Sequence, residues 1–221
     1  MNKQCMAGAC EAPAAGMGRY CETHKRAFRR HGHPLQSGIT VPEVKPFIKR
    51  VKARINANET NPTWSLLAAR WESMVDISRA YVTQMKSGAA FNRYEARAHQ
   101  AILNLANTVD ASDVTTMALG MYMLREEQGR RFHSDEAFTF QLVRRVMLMS
   151  DVHVGTGWNP KTGKTFRVYK EPSPRVTRII GGLLQEVFGT VGLYVASLEA
   201  ADKRKQEQQT AELHAALEAL Q

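Results

Sequence analysis

Cysteine is scarce in this 221-residue chain and is absent from its last 200 residues. The three cysteines are Cys5, Cys10 and Cys21, and an odd number cannot close completely into intramolecular disulfides. Residues 1–20 also lack the continuous apolar run of a secretory signal peptide. These absences exclude a disulfide-stapled secreted domain and favour a reducing cytoplasm, where clustered thiols are typical of metal sites.

Acidic residues are scarce near the N-terminus. Residues 1–58 hold eleven basic and three acidic side chains, a net charge of +8, whereas the other 163 residues hold nineteen and eighteen, a net charge of +1. Such a basic end indicates a surface for nucleic acid or another acidic partner. The overall composition, 43% hydrophobic and 23% charged, is that of a globular protein and excludes disorder along the whole chain.

The cysteines form part of a pattern with the spacing of a metal site, Cys-x4-Cys-x10-Cys-x2-His. The predicted ligands are Cys5, Cys10, Cys21 and His24. Three thiolates and one imidazole suit a closed tetrahedral zinc site, and a segment of about thirty residues needs such an ion because it has no hydrophobic core of its own. His31 and His33 remain alternatives to His24 as the fourth ligand.

The same segment, CMAGACEAPAAGMGRYCETHKRAFRRHGHP, resembles a short zinc-binding module at the N-terminus of phage-type proteins, including some HNH endonucleases. Besides the cysteines and His24, the residues that match its pattern are Pro13, Arg30, His31, Gly32 and Pro34. The order Gly18-Arg19 is inverted relative to that pattern. The resemblance covers residues 5–34 and implies Zn²⁺, nucleic acid and a phage or mobile element in a bacterial host. No HNH active-site pattern follows it.

Basic residues cluster in three segments that could contact nucleic acid. After His24, a predicted short helix places Arg26, Arg29 and Arg30 on one face. Across the three segments, the candidate contacts are Lys25, Arg26, Arg29 and Arg30; Lys45, Lys49, Lys52 and Arg54; and Lys161, Lys164 and Arg167. Phosphate contacts of this kind position a protein on nucleic acid without reading its sequence. The chain shows no interleaving of aromatic and basic residues of the kind that stacks single strands.

The hydrophobic periodicity predicts a mainly α-helical fold, in which an N-terminal zinc knuckle precedes a multi-helix domain with one β-hairpin and a long C-terminal helix. The predicted parts are a zinc-binding module (1–34), a basic linker with an amphipathic helix (35–58), a helical domain (59–198) with a hairpin near 152–170, and a charged C-terminal helix (199–221). Within them, residues 32–42 are predicted to be a linker, and Ser112 and Ser134 to be helix N-caps.

The apolar residues 179–198 form the longest hydrophobic segment. Gln185 and Glu186 lie in its middle, where a charge is costly in a bilayer, so we expect no membrane-spanning helix. A buried helix and a helix interrupted near Gly189 both fit this composition. The following residues carry leucines with one 4-3 spacing, too few for a predicted coiled coil but sufficient to pair helices in a homo-oligomer.

No enzymatic motif emerges from the chain. Gly157 and Gly163 are separated by five residues rather than the four of a phosphate-binding P-loop, and Pro160 intrudes. Asp151 and His153 resemble the first block of metallophosphoesterases, but the further blocks needed for two-metal chemistry are missing. We therefore expect a protein that is not an enzyme.

The sequence favours a zinc-containing nucleic-acid-binding protein of phage or mobile-element type, a cytoplasmic regulator of transcription or replication. DNA is the expected ligand, with RNA as the alternative, and the helical domain or the C-terminal helix is expected to support oligomerisation. An alternative is an interaction factor that binds a host protein such as a polymerase or defence component, with zinc purely structural. A nuclease with an unrecognised site is a third class.

Overall fold

The computed structural model describes residues 3–150, 155–168 and 171–218, and over these residues it confirms the predicted mainly α-helical fold. The helices, in chain order, are α1 (Glu22–His31), α2 (Val41–Ala57), α3 (Pro62–Lys86), α4 (Arg93–Ala106), α5 (Ala111–Glu127), α6 (Asp135–Met147) and α7 (Pro174–Glu218). A 3-10 turn, Gly129–Arg131, follows α5. Strands β1 (Gly155–Asn159) and β2 (Lys164–Val168) form an antiparallel hairpin. The ends of the predicted hairpin, 152–154 and 169–170, lie outside the described residues.

Helix α5 is the centre of the hydrophobic core. Every residue from Val114 to Leu124 is buried, because α2, α3, α6 and α7 surround the helix. A helix that is apolar on all sides is typical of such a position. Gly120 allows α2 to approach closely, since a Cβ at this position would lie 3.1 Å from Ile48 Cγ1.

Helix α7 runs without interruption through its apolar residues, so of the two forms that the composition allowed, a buried helix and a helix interrupted near Gly189, the structure has the uninterrupted one. Its glycines are contact points: a Cβ at Gly181 would lie 2.3 Å from Thr139 Cγ2, and one at Gly192 would lie 2.4 Å from Tyr122 Cδ2. Close packing against α5 and α6 thus offsets the weak helix propensity of glycine. The predicted boundary between 198 and 199 falls inside this continuous helix.

The apolar part of α7 would suffice, by length and composition, to cross a membrane: its most apolar 18-residue window has a mean hydropathy of 1.5. However, 44% of that window is buried inside the protein. The packing of α7 along α5, α4 and α6 accounts for the buried apolar residues, whereas Leu193 and Tyr194 remain exposed. The same composition is found in core helices of soluble proteins.

Two predicted N-caps have different outcomes. Ser134 caps α6 as expected, since its side chain accepts a hydrogen bond from the Ala137 amide. The predicted N-cap at Ser112 is wrong, because the N-cap of α5 is Asp110, whose backbone is extended, and Ala111 is already helical.

The segment predicted as a linker over 32–42 joins α1 to α2 through residues 32–40, and it is held against the helical body. Gln36 is 2% exposed, and its amide donates to the Arg131 carbonyl and accepts from the His133 amide. Gly32, in a left-handed conformation, packs so closely on α6 that a Cβ would lie 2.9 Å from the Glu136 carbonyl oxygen. Helix α2 then begins with a capping box formed by Thr40 and Glu43. The N-terminal module is therefore attached to the helical body by specific contacts.

Candidate metal centre and its basic surroundings

The structure brings the four predicted ligands together. Their ligand atoms, the sulfurs of Cys5, Cys10 and Cys21 and a ring nitrogen of His24, all lie within 4.8 Å of one another. Cys5 and Cys21 are buried, and the other two are partly buried. These residues could bind a metal ion. Within the described parts of the chain, no other group of histidine, cysteine, aspartate or glutamate side chains lies close enough together to do so.

The separations within the cluster match those of a tetrahedral ion. His24 Nδ1 lies 3.4 Å from both Cys5 Sγ and Cys21 Sγ, and Cys10 Sγ lies 4.0 Å from Cys21 Sγ. Zn–S bonds of about 2.3 Å and Zn–N bonds of about 2.0–2.1 Å would give tetrahedron edges of about 3.8 Å between sulfurs and about 3.6 Å between sulfur and nitrogen. The donor set and its spacing therefore fit Zn²⁺ without large rearrangement.

A knuckle of backbone hydrogen bonds presents the first two cysteines. The Cys5 amide donates to the Ala12 carbonyl at 3.0 Å, and the Cys10 amide donates to the Ala7 carbonyl at 3.1 Å. Between them, Ala9 adopts a left-handed conformation with φ of 57°. This turn folds the four-residue gap back so that both thiols face α1.

Helix α1 presents the other two ligands. Cys21 is its N-cap, and His24 lies one turn later on the same side. The spacing Cys-x2-His thus places two of the predicted ligands on one side of the helix start.

The cluster already favours the thiolate of Cys5. Burial raises its pKa, but hydrogen bonds from the backbone of Cys21 and Ala7 and from the side chains of His24 and Cys10 outweigh burial and lower the pKa to about 6. The pKa of Cys10 is raised, because burial and the neighbouring thiols outweigh a backbone hydrogen bond from Ala12. A cation among the sulfurs would relieve this mutual repulsion.

The arrangement suits a structural ion rather than a catalytic one. Four protein ligands fill a tetrahedral coordination sphere and leave no open position for water or substrate. Around them, only Ala7, Cys5 and Cys21 are buried, with Tyr20 packed against them. So small a cluster cannot offset the entropy of ordering the module, and the ion would supply that free energy.

His31 is not a ligand of this site, because its ring is held by α6. Its Nδ1 accepts a hydrogen bond from Gln141 Nε2 at 2.9 Å, and the orientation of that amide is fixed because Gln141 Oε1 accepts from the Ile39 amide. Protonation of Nδ1 would therefore place two donors face to face. Burial, reinforced by Arg144 and Arg30, lowers the pKa of His31 to about 4.

We expect His31→Asn to reduce the loss of stability at acid pH. Since the pKa of His31 is about 4 when folded and about 6.5 when unfolded, the unfolded state takes up the proton first. The stability linked to neutral His31 is complete above pH about 6.5 and is lost as the pH falls towards 4. Urea unfolding at pH 7.5 and pH 5.0 should show a larger decrease for wild type than for the variant, and equal decreases would contradict this assignment.

His33 is also placed away from the cysteines. Its ring stacks on His133 with centroids 4.9 Å apart, and its Nδ1 accepts a hydrogen bond from the Leu35 amide. Both alternatives to His24 are thus occupied with contacts elsewhere in the fold.

Carboxylates neutralise several of the basic residues predicted to contact nucleic acid. The paired residues are Lys25 with Glu22, Arg30 with Glu171, Lys52 with Asp113, and Arg54 with Glu199 and Asp202. The Arg54 side chain is only 19% exposed. Its charge serves to hold α2 against α7, which removes the reason for including it in a nucleic-acid interface.

Other predicted cations remain exposed. Arg26 and Arg29 on α1 and Lys45 and Lys49 on α2 are at least partly exposed, and over residues 3–150, 155–168 and 171–218 no carboxylate pairs with them. On the hairpin, Lys161 and Lys164 are exposed in the same way. The Arg167 side chain lies outside the described residues.

Two features of this region escape sequence reasoning. The first is buried Gln141, which forms hydrogen bonds with both His31 and the Ile39 amide. The only sequence signal for this role is a glutamine on the apolar face of α6. Trp158 is 61% exposed on β1, although large aromatic residues are usually buried. The sequence signal that could have predicted the exposure of Trp158 is its position beside a predicted turn.

Comparison of the chain with protein-family models, with curated proteins and with solved structures finds no match. The geometry of the Cys/His cluster and the distribution of charge are therefore the basis for a functional proposal.

Proposed function

We propose that this protein is a zinc-stabilised nucleic-acid-binding protein, not an enzyme, which acts as a regulator of transcription or replication for a phage or similar element in the bacterial cytoplasm. One observation carries the proposal. The helix that holds Cys21 and His24 also carries Arg26 and Arg29, whose charges no described carboxylate matches.

The distribution of unmatched charge supports this assignment. Of the eleven basic residues in 1–58, five pair with described carboxylates. The other six are Lys3, Arg19, Arg26, Arg29, Lys45 and Lys49. Four of these six belong to the predicted zinc-binding module, and the other two lie on α2.

Arginines held on a rigid helix suit phosphate. The guanidinium group presents several donors in a plane and binds phosphate oxygens in pairs, at little entropic cost when its helix is already ordered. The metal would fix the N-terminal end of α1, while the packing of Gly32 fixes its C-terminal end. The resemblance of residues 5–34 to a phage zinc module agrees with this role.

The double variant Arg26→Glu/Arg29→Glu should weaken binding of a fluorescein-labelled 20-base-pair DNA duplex at least tenfold in fluorescence anisotropy. Two lost phosphate contacts should also reduce the slope of log K against log salt by about 2, measured between 50 and 200 mM salt. The matched control is Arg70→Glu/Arg97→Glu, which makes the same change in net charge at exposed positions on α3 and α4.

A loss of DNA affinity in the α1 variant, Arg26→Glu/Arg29→Glu, but not in the Arg70→Glu/Arg97→Glu control supports the proposal. Equal losses in both variants would mean that only net charge matters, and unchanged binding in the α1 variant would overturn the assignment of this helix. A parallel titration with RNA of the same sequence separates the two nucleic acids.

A second candidate, an interaction factor for a host protein, draws on the end of α7. Beyond the ion pairs of Asp202 and Lys203 with the helical body, residues 204–218 are exposed and extend for about 22 Å as a lone helix, which is marginal in water without a partner. Capture of a host protein that survives nuclease, is lost on removal of residues 204–221 and is unaffected by the Arg26/Arg29 reversal would favour this candidate.

A further inference from the structure

The β-hairpin stands apart from the helical body. Its two strands pair with each other in the register that sets Trp158 opposite Thr165, and neither strand packs extensively against a described helix. From Gly155 to Thr165 no residue is buried. An isolated two-stranded hairpin is marginally stable in water, so its surface residues are not explained by packing.

The turn of the hairpin is well ordered by its own residues. Asn159 Oδ1 accepts a hydrogen bond from the Lys161 amide at 3.0 Å, and the Asn159 carbonyl accepts one from the Gly163 amide at 2.9 Å. Pro160 restricts the first turn position, and Gly163 takes the left-handed conformation that closes the loop, with φ of 63°. The turn thus presents Lys161 and Lys164 from a defined backbone.

The exposed indole of Trp158 is close in sequence and register to these cations, since Lys164 directly precedes its partner residue on β2 and Lys161 lies in the turn between the strands. Trp158 is 61% exposed, and the residue directly across from it is the small Thr165, which leaves the ring open. Residues 155–168 contain three basic residues and no acidic residue. An aromatic face combined with unopposed positive charge matches a ligand that offers flat bases and phosphates together.

The root of the hairpin is close to the arginine-bearing helix. Glu171, three residues after β2, accepts a hydrogen bond from Arg30 Nε at 2.8 Å and pairs with Arg144. Three extended residues span at most about 10 Å, so β2 ends near the C-terminal end of α1. One ligand could therefore contact both α1 and the hairpin.

We propose that the hairpin binds single-stranded nucleic acid, with Trp158 stacked on an unpaired base and Lys161 and Lys164 on the adjacent phosphates. In an intact duplex the base faces are covered by their neighbours, so an indole can stack only where a strand is unpaired. The inference rests on the proposed nucleic-acid function and narrows its substrate to one with a single-stranded segment. It also differs from the sequence-based interpretation, in which no interleaving of aromatic and basic residues suited to stacking single strands is found.

The test is a titration of the full, metal-loaded chain with fluorescein-labelled oligothymidylate of 20 nucleotides, beside a 20-base-pair duplex. Trp158→Ala should weaken single-strand binding about tenfold or more, since one base stacked on an aromatic ring contributes about 1–3 kcal/mol, and should change duplex binding less. Trp158→Phe should recover much of the affinity. Tyr194→Ala, at a 59% exposed aromatic residue on α7, is the matched control and should bind as wild type.

Tryptophan fluorescence gives an independent readout. Trp71 is 2% exposed and Trp64 is partly buried with its indole nitrogen bonded to the Asn58 carbonyl, so quenching by unlabelled oligothymidylate should come from Trp158 and disappear in Trp158→Phe.

The outcomes separate the two proposals. If Trp158→Ala binds single strands as wild type does while the Arg26/Arg29 reversal does not, the hairpin inference is overturned and the proposed function stands. If wild type binds neither nucleic acid, both are overturned. Binding of wild type to phosphatidylglycerol vesicles through Trp158, with no single-strand binding, would also overturn the inference in favour of a membrane surface.

Discussion

Cys21→Ala should release the metal and unfold the module around it while the helical body remains folded. Cys21 contributes a ligand sulfur from the N-cap position of α1, where its side chain makes no capping hydrogen bond, so its loss acts through the coordination of the ion. Structural zinc sites contribute an apparent binding free energy of about 10–16 kcal/mol at pH 7, whereas the local cluster buries only Cys5, Ala7 and Cys21.

Hydrogen exchange followed by mass spectrometry measures this effect. Amides in residues 3–24 should lose their protection in Cys21→Ala and in chelator-treated wild type, while those of α5 and α7 keep theirs. The exposed neighbour Thr23→Ala is the matched control and should retain the ion and the protection. Full protection of residues 3–24 in the Cys21 variant would show that the module folds without metal.

Gly192→Ala should be the most damaging small substitution in the helical body. The added Cβ would lie within 2.9 Å of three atoms of the Tyr122 ring, and that ring is 3% exposed and packed edge-on against Phe138. Overpacking of this kind costs typically about 1–3 kcal/mol, and here the clash is with a ring that cannot turn away. We expect a net loss of about 2 kcal/mol after the gain in helix propensity from alanine.

Gly182→Ala supplies the matched control in the same helix. A Cβ added at this position would have no other atom within 4 Å, and the residue is exposed, so alanine should stabilise α7 by about 1 kcal/mol. Urea denaturation should separate the two variants by about 3 kcal/mol in the free energy of unfolding. Equal midpoints would contradict the close α5–α7 packing.

Local patterns predicted the metal ligands and most of the helices. The spacing Cys21-x2-His24 is a property of one helix start, and the cap at Ser134 depends on a few consecutive residues, so neither needs knowledge of the fold. The sequence therefore contains enough information to place the candidate site and the class of fold.

Long-range contacts account for what sequence reasoning missed. The glycines of α7 left a break near Gly189 open as an alternative to a continuous helix, but Gly181 and Gly192 are contact points for α6 and α5 in a helix without interruption. Arg54 looked like a free cation because its partners, Glu199 and Asp202, lie 145 and 148 residues away in the chain. Such pairings depend on how helices pack, which no local pattern encodes.

Metal content, measured on protein purified without chelators, tests the central claim most directly. Inductively coupled plasma mass spectrometry should find one zinc per chain, and X-ray absorption should find three sulfur ligands at about 2.3 Å and one nitrogen at about 2.0–2.1 Å. A chain that contains no stoichiometric transition metal, yet has an ordered module over residues 3–31, would contradict the account.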